Sequence, residues 1–187
     1  MLVVIEGPDG SGKSTLVRKL RDFDLARQFW CLSSARRYHS LTEVADFINW
    51  IQARPLSAAR LVFDRFPIIS EWVYGPIIRK SYFDRHLSLQ CPPVVADIEK
   101  IAEVIRRLDP EPLIVQCCPL FHVLQERVHG EPQMDGVIEH LREIYDRYEL
   151  LMEHLGRHIL VYKIDPFEDI HLRKFEEFLS IFTRRTT

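Results

Sequence analysis

Hydrophobic positions along the chain alternate between short unbroken apolar runs and stripes recurring every three to four residues. The runs Leu2 to Ile5, Phe29 to Leu32, Leu61 to Phe63, Leu113 to Cys117 and Ile159 to Ile164 have strand length. Between them, Leu16, Val17, Leu20 and Phe23 share one helical face, and Leu41, Val44, Ala45, Ile48 and Ile51 form a second stripe. Ser40 with Glu43 reads as that helix's capping box and Pro55 ends it. Phe66 to Arg79 reads as a short helix that Gly75-Pro76 interrupts. Residues 81–93 have no period and read as loop. A covering helix follows from Ala96 to Leu108, carrying Ile98, Ile101, Ala102 and Ile105.

Pro119 fits the first turn of a helix that turns Leu120, Val123, Leu124 and Val128 inward. A longer helix from Val137 to Leu155 buries Ile138, Leu141, Ile144, Tyr148, Leu151 and Met152, with Gly156 as its stop. The last helix turns Leu172, Phe175, Phe178, Leu179 and Phe182 inward. Strand, helix, strand in this order predicts one α/β domain over residues 1–187, a three-layer sandwich. It has a five-stranded parallel sheet with helices on both faces.

Composition adds exclusions. With 47% hydrophobic and 28% charged residues the chain is not disordered, and no apolar stretch reaches the ~18 to 20 residues needed to span a bilayer. The apolar start is too short for a signal-peptide core, so the expectation is a cytoplasmic protein without a membrane partner. Cysteines at 31, 91, 117 and 118 show neither metal spacing nor a disulfide framework, and Cys117 and Cys118 read as packing residues. A formal charge of −2 gives no global attraction to polyanions, which leaves only local clusters such as Arg36, Arg37 and His39.

Chemistry concentrates where the first strand ends. Gly7, Gly12, Lys13 and Ser14 satisfy the phosphate-loop pattern of a glycine, four free positions and Gly-Lys-Ser, placed between a strand and a helix. The glycines let the backbone approach phosphate oxygens, Lys13 reaches the β and γ phosphates, and the Ser14 hydroxyl can ligate Mg²⁺. The third strand stops at Asp64-Arg65, which puts two charges on the ligand-binding edge of an α/β sheet. The polar stretch 128–136 stands where a lid belongs.

The opening Glu-Gly-Pro-Asp-Gly-Ser-Gly-Lys-Ser-Thr resembles that of thymidylate kinase-like enzymes, and Asp64-Arg65-Phe66 with Ser70 and Tyr74 resembles their second motif. The resemblance implies transfer of the ATP γ-phosphoryl group to a nucleotide-type acceptor with Mg²⁺. It puts Gly7, Asp9, Gly10, Ser11, Gly12, Lys13, Ser14 and Thr15 on the nucleotide, and Ser14 and Asp64 at the metal. Catalysis falls to Lys13, Asp9, Asp64, Arg65 and Arg127, and acceptor contacts to Asp9, Arg65, Phe66, Ser70, Tyr74, Arg36 and Arg37. Homodimers are common among such kinases.

Each assignment has a plainer counterpart. Asp64 and Arg65 also fit a loop ion pair, Ser70 a local cap, Arg127 a solvated helix face, and Arg36 with Arg37 an ordinary surface. Phe66, Trp72 and Tyr74 fit the core as well as a base stack.

Two departures bear on the acceptor. The interval from Leu32 to Val62 is abbreviated, and the lid stretch holds no arginine. Fewer cations and a more open acceptor side favour a bulkier acceptor. The stretches 69–75 and 133–137 are most similar to short phage-type members, which include kinases of 5-hydroxymethyluracil in DNA. A phage-encoded enzyme would work in the cytoplasm of a host cell. The acceptor is then a hydroxymethyl group on a single strand or flipped base. The alternatives are a thymidylate kinase converting dTMP to dTDP and, more remotely, a non-catalytic nucleotide-binding switch.

Overall fold

The computed structural model describes residues 1–22, 30–33, 46, 49, 53, 61–78, 98–109, 111–130 and 132–185. The strands are β1 (Leu2–Glu6), β2 (Trp30–Ser33), β3 (Leu61–Asp64), β4 (Leu113–Cys117) and β5 (Val161–Ile164). The helices discussed below are α1 (Lys13–Asp22), α2 (Pro67–Ile78), α3 (Ile98–Arg106), α4 (Phe121–Val128), α5 (Leu141–Leu155) and α6 (Asp169–Arg185). Asp46 and Asn49 are helical. The remainder of the stripe at 41–51, the capping box, the basic cluster with Arg36 and Arg37, Arg79 and the loop 81–93 lie outside the described residues.

All strand pairs are parallel, in the order β2-β3-β1-β4-β5. Central β1 pairs Val3 with both Val62 and Leu113. Successive side chains of a strand point to opposite faces, so a strand covered on both sides must be apolar throughout, as Leu2 to Ile5 is. Leu2, Val4, Phe63 and Ile114 pack with Ile68, Ile101, Leu124 and Leu151 of α2, α3, α4 and α5. Val3, Ile5, Val62, Val115 and Ile164 pack on the other face with Leu16 and Leu20 of α1 and Phe175 and Leu179 of α6. These two cores make the three layers. Among the described residues no helix is long and apolar enough to cross a membrane.

Three local expectations need correction. Gly75-Pro76 does not interrupt α2, which runs through Pro76 to Ile78. Proline supplies no N–H to the carbonyl four residues earlier, Trp72, and that oxygen instead accepts a hydrogen bond from Arg147 Nη2 at 2.7 Å. Leu120 is 65% exposed, because α4 begins at Phe121 and Leu120, with an extended backbone, sits ahead of its inward face. Pro119 therefore precedes the helix rather than opening it. Ile138 is exposed because residues 135–140 form turns and α5 starts only at Leu141. Gly156, the expected stop, does cap α5, and it does so in a right-handed conformation.

Candidate active site

Parallel strands deliver their carboxyl ends to one edge of the sheet, and the residues after β1, β3 and β5 meet there. The loop after β1 needs glycine at two crowded points. Gly7 has φ 149°, and a side chain on it would put Cβ 2.4 Å from the Cys117 carbonyl oxygen. Gly12 has φ 86°, and its Cβ would lie 2.7 Å from the Phe167 ring. The loop thus runs hard against β4 and the segment after β5, then turns into α1.

A cavity of about 400 Å³ opens above this loop. Its lining joins Asp9, Gly10, Gly12, Lys13, Ser14 and Thr15 to Asp64 and Arg65 from the end of β3, and Arg127 from the end of α4. Arg18, Pro132, Gln133 and Phe167 complete it. The hydroxyl of Ser11 is buried beneath the loop and has no hydrogen-bond partner.

Arg65 is the positive-φ non-glycine residue of the described chain, at 71°. This backbone is held by its N–H bond to the Ile5 carbonyl at 3.0 Å, and it brings the guanidinium onto Asp9. Arg65 Nη2 donates to Asp9 Oδ1, while the second oxygen, Oδ2, is buried without a hydrogen-bond partner. The Asp9 N–H donates to the Tyr74 hydroxyl at 3.0 Å. Burial opposes ionisation of Asp9, but the charges of Arg65 and Lys13 outweigh it and hold its carboxyl below the usual range.

Lys13 is buried, with Nζ donating to the Pro8 carbonyl at 2.5 Å. Burial, reinforced by repulsion from Arg65, pulls its ammonium down to about 8. A desolvated cation at a loop of exposed amides suits an anionic ligand, which would restore the charge balance that burial removes. The loop, Lys13, the Ser14 hydroxyl and Asp64 therefore fit a nucleoside triphosphate with a divalent ion.

Three residues expected at the acceptor are not on the cavity lining. Phe66 is 1% exposed and packs edge-on against Phe63, with ring centroids 5.6 Å apart. Ser70 donates inward to Glu6 Oε1 at 3.4 Å. Tyr74 is buried edge-on against Tyr148, with its hydroxyl holding the glycine loop. Phe66, just ahead of α2, and Tyr74 within it are buried in the core, while Ser70 is half-buried. Trp72 is likewise buried, under the Arg147 guanidinium 4.1 Å above its ring. Cys117 is buried, as expected of packing, whereas Cys118 Sγ donates to Glu149 Oε1 at 3.1 Å.

Sequence reasoning missed Glu6 and Phe167. Glu6 is fully buried at the end of β1 and accepts bonds from the Phe66 N–H and from the Tyr148 hydroxyl at 3.0 Å. Burial pushes its carboxyl up to about 7 despite those donors. Phe167 is set by an Asx turn in which its N–H donates to Asp165 Oδ1 at 3.0 Å, and its ring lies 3.3 Å from the Arg127 guanidinium. The Asp165-Pro166-Phe167 turn after an apolar run was the available signal. The two residues form a cation–π pair on the cavity lining.

No family model and no curated protein matches this sequence. Solved structures do match its fold. The YorR protein of Bacillus subtilis, solved in complex with phosphorylated GDP, aligns with a TM-score of 0.70 at 15% identity, covering 99% of this chain and 98% of its own. A deoxyadenosine kinase from M. mycoides with bound dATP aligns at 0.54 and 10% identity, covering 96% and 99%. The same kinase with the products dCMP and dCDP aligns at 0.53 and 10%, over the full length of both chains. The chain thus has the α/β fold of nucleotide kinases, with its cavity at the carboxyl edge of the sheet.

Proposed function

We propose that this chain is an ATP- and Mg²⁺-dependent phosphotransferase acting on a hydroxyl of a pyrimidine deoxynucleotide-type acceptor, with the hydroxymethyl group of 5-hydroxymethyluracil in DNA as the preferred one. The observation that carries the reading is the convergence of the glycine loop, Lys13, Ser14, Asp64, Arg65 and Asp9 on one cavity. Phosphoryl transfer asks a protein chiefly to align donor and acceptor and to neutralise charge on the equatorial oxygens.

The nucleotide would supply the phosphoryl group and the metal would neutralise its charge. Gly10, Gly12, Lys13, Ser14 and Thr15 would hold the nucleotide, and Ser14 with Asp64 the metal. Lys13 neutralises phosphate charge from a pocket where water screens it little. Asp9 faces the acceptor. With Oδ1 committed to Arg65, the unpartnered Oδ2 wants a donor, which an alcohol provides and an ionised phosphate does not. The lowered carboxyl suits Asp9 to orient a hydroxyl rather than to hold its proton for long. The fold neighbour named a deoxyadenosine kinase supports a deoxynucleoside-type acceptor.

The second reading, dTMP to dTDP, draws on the cationic side chains Lys13, Arg18, Arg65 and Arg127 along the cavity. An acceptor panel separates the two. With γ-labelled ATP and Mg²⁺, label should enter 5-hydroxymethyluracil DNA, single-stranded at least as well as duplex, because a flipped base must otherwise leave its stack. Label in free dTMP alone would replace the first reading by the second.

A further inference from the structure

Away from the cavity, Glu99, His154 and His158 stand together, with one ligand atom from each lying within 4.8 Å of the others. We propose that these three side chains form a site for a borderline divalent transition metal, Zn²⁺ by its donor set. Two imidazoles and one carboxylate are an ordinary zinc complement, and a fourth position remains for water.

The backbone builds the pair of histidines. Because Gly156 stays right-handed, the chain continues for another turn beyond α5, with the N–H of His158 bonded to the Leu155 carbonyl at 2.9 Å and that of Ile159 at 2.8 Å. His154 and His158 therefore keep the i, i+4 relation of one helical face, and their rings lie 5.5 Å apart. Spacing of this kind is what lets two helical histidines share one zinc. Glu99 arrives from the first turn of α3, whose Ile101 and Ile105 share the apolar core with Leu151 and Leu155 of α5. That packing fixes the two helices before any ligand binds.

Distances agree with the donor set. His154 Nε2 lies 3.3 Å from Glu99 Oε2. Ligands about 2.0 to 2.2 Å from a tetrahedral zinc are about 3.3 to 3.6 Å apart. The same Nε2 is buried and makes no hydrogen bond. His158 is exposed and closes the remaining gap by a side-chain rotation. It lies three residues before β5, at the amino edge of the sheet, opposite the cavity. A metal there would clip α3 to the end of α5 and take no part in phosphoryl transfer.

The test titrates Zn²⁺, and Co²⁺ as a spectroscopic probe, into the chelator-treated full chain and into H158A and E99Q. Both substitutions are on exposed side chains, so the fold survives them. The wild-type chain should bind one Zn²⁺, gain thermal stability with it, and give the visible absorption of tetrahedral Co²⁺ without a thiolate charge-transfer band. Each variant should weaken binding at least tenfold and lose the thermal shift, with its melting temperature in chelator unchanged. Equal affinity in wild type and variants, a thiolate band, or no saturable binding would overturn the site.

Discussion

The carbonyl of Trp72 gives a prediction with a built-in control. Pro76 has no N–H to offer it, and Arg147, from α5, takes that place at 2.7 Å while stacking 4.1 Å above the Trp72 ring. Arg147→Met keeps much of the apolar stem and removes both interactions. A buried acceptor left without a donor costs about 1 to 3 kcal/mol, and a partly exposed cation–π contact adds about 0.5 to 1. The variant should therefore lose about 1.5 to 4 kcal/mol in urea unfolding. Pro76→Ala restores a helical N–H to the same carbonyl, so in that background Arg147→Met should cost only the stacking contribution, about 1 kcal/mol or less. The double-mutant cycle should then show a coupling of about 1 to 3 kcal/mol. Strictly additive costs would refute the claim that Arg147 completes the helix at Pro76.

Glu6→Gln tests the buried carboxyl. A carboxyl whose folded value is about 7 against an ordinary 4.5 takes up a proton on folding, so its contribution to stability is present below 4.5 and lost as pH rises through 7. The wild-type minus variant unfolding free energy should fall by up to about 3 kcal/mol over that window, and a pH-independent difference would count against it. Lys13→Ala should keep its thermal midpoint within a few degrees and lose on the order of 10² to 10³ in turnover, since the ammonium serves developing charge rather than the core. Gly7→Ala should fail at the loop, because its Cβ would lie 2.4 Å from the backbone oxygen of Cys117 at φ 149°. Unaltered ATP affinity in that variant would contradict the crowding argument.

Most of the sheet was legible because strands covered on both faces leave a signature that needs no partner. The run Leu113 to Cys117 coincides with β4 residue for residue, and Leu61 opens β3 as its run does. The glycine loop was legible for the same reason, since its geometry is demanded by backbone rather than by distant side chains. What escaped depends on contacts distant in sequence. Nothing near Pro76 announces that Arg147, 75 residues away from Trp72, will satisfy the carbonyl. Glu6 looked like the polar end of a strand, and the donors that bury it come from Phe66, Ser70 and Tyr148. Phe66, Ser70 and Tyr74 follow the motif closely in sequence, yet none lines the cavity, and Phe66 and Tyr74 pack in the core, a property of packing that spacing alone does not carry.

The proposed reaction is phosphoryl transfer in the cavity over the glycine loop. Its most direct measurement follows the γ-phosphoryl of labelled ATP onto 5-hydroxymethyluracil DNA, with wild type, Lys13→Ala and Asp64→Asn compared in Mg²⁺ and in excess chelator. Wild type should label the acceptor in Mg²⁺ and not in chelator, and both variants should do so in Mg²⁺ at least about 10² more slowly. Transfer that persists at the wild-type rate in chelator, or in Lys13→Ala, would contradict it.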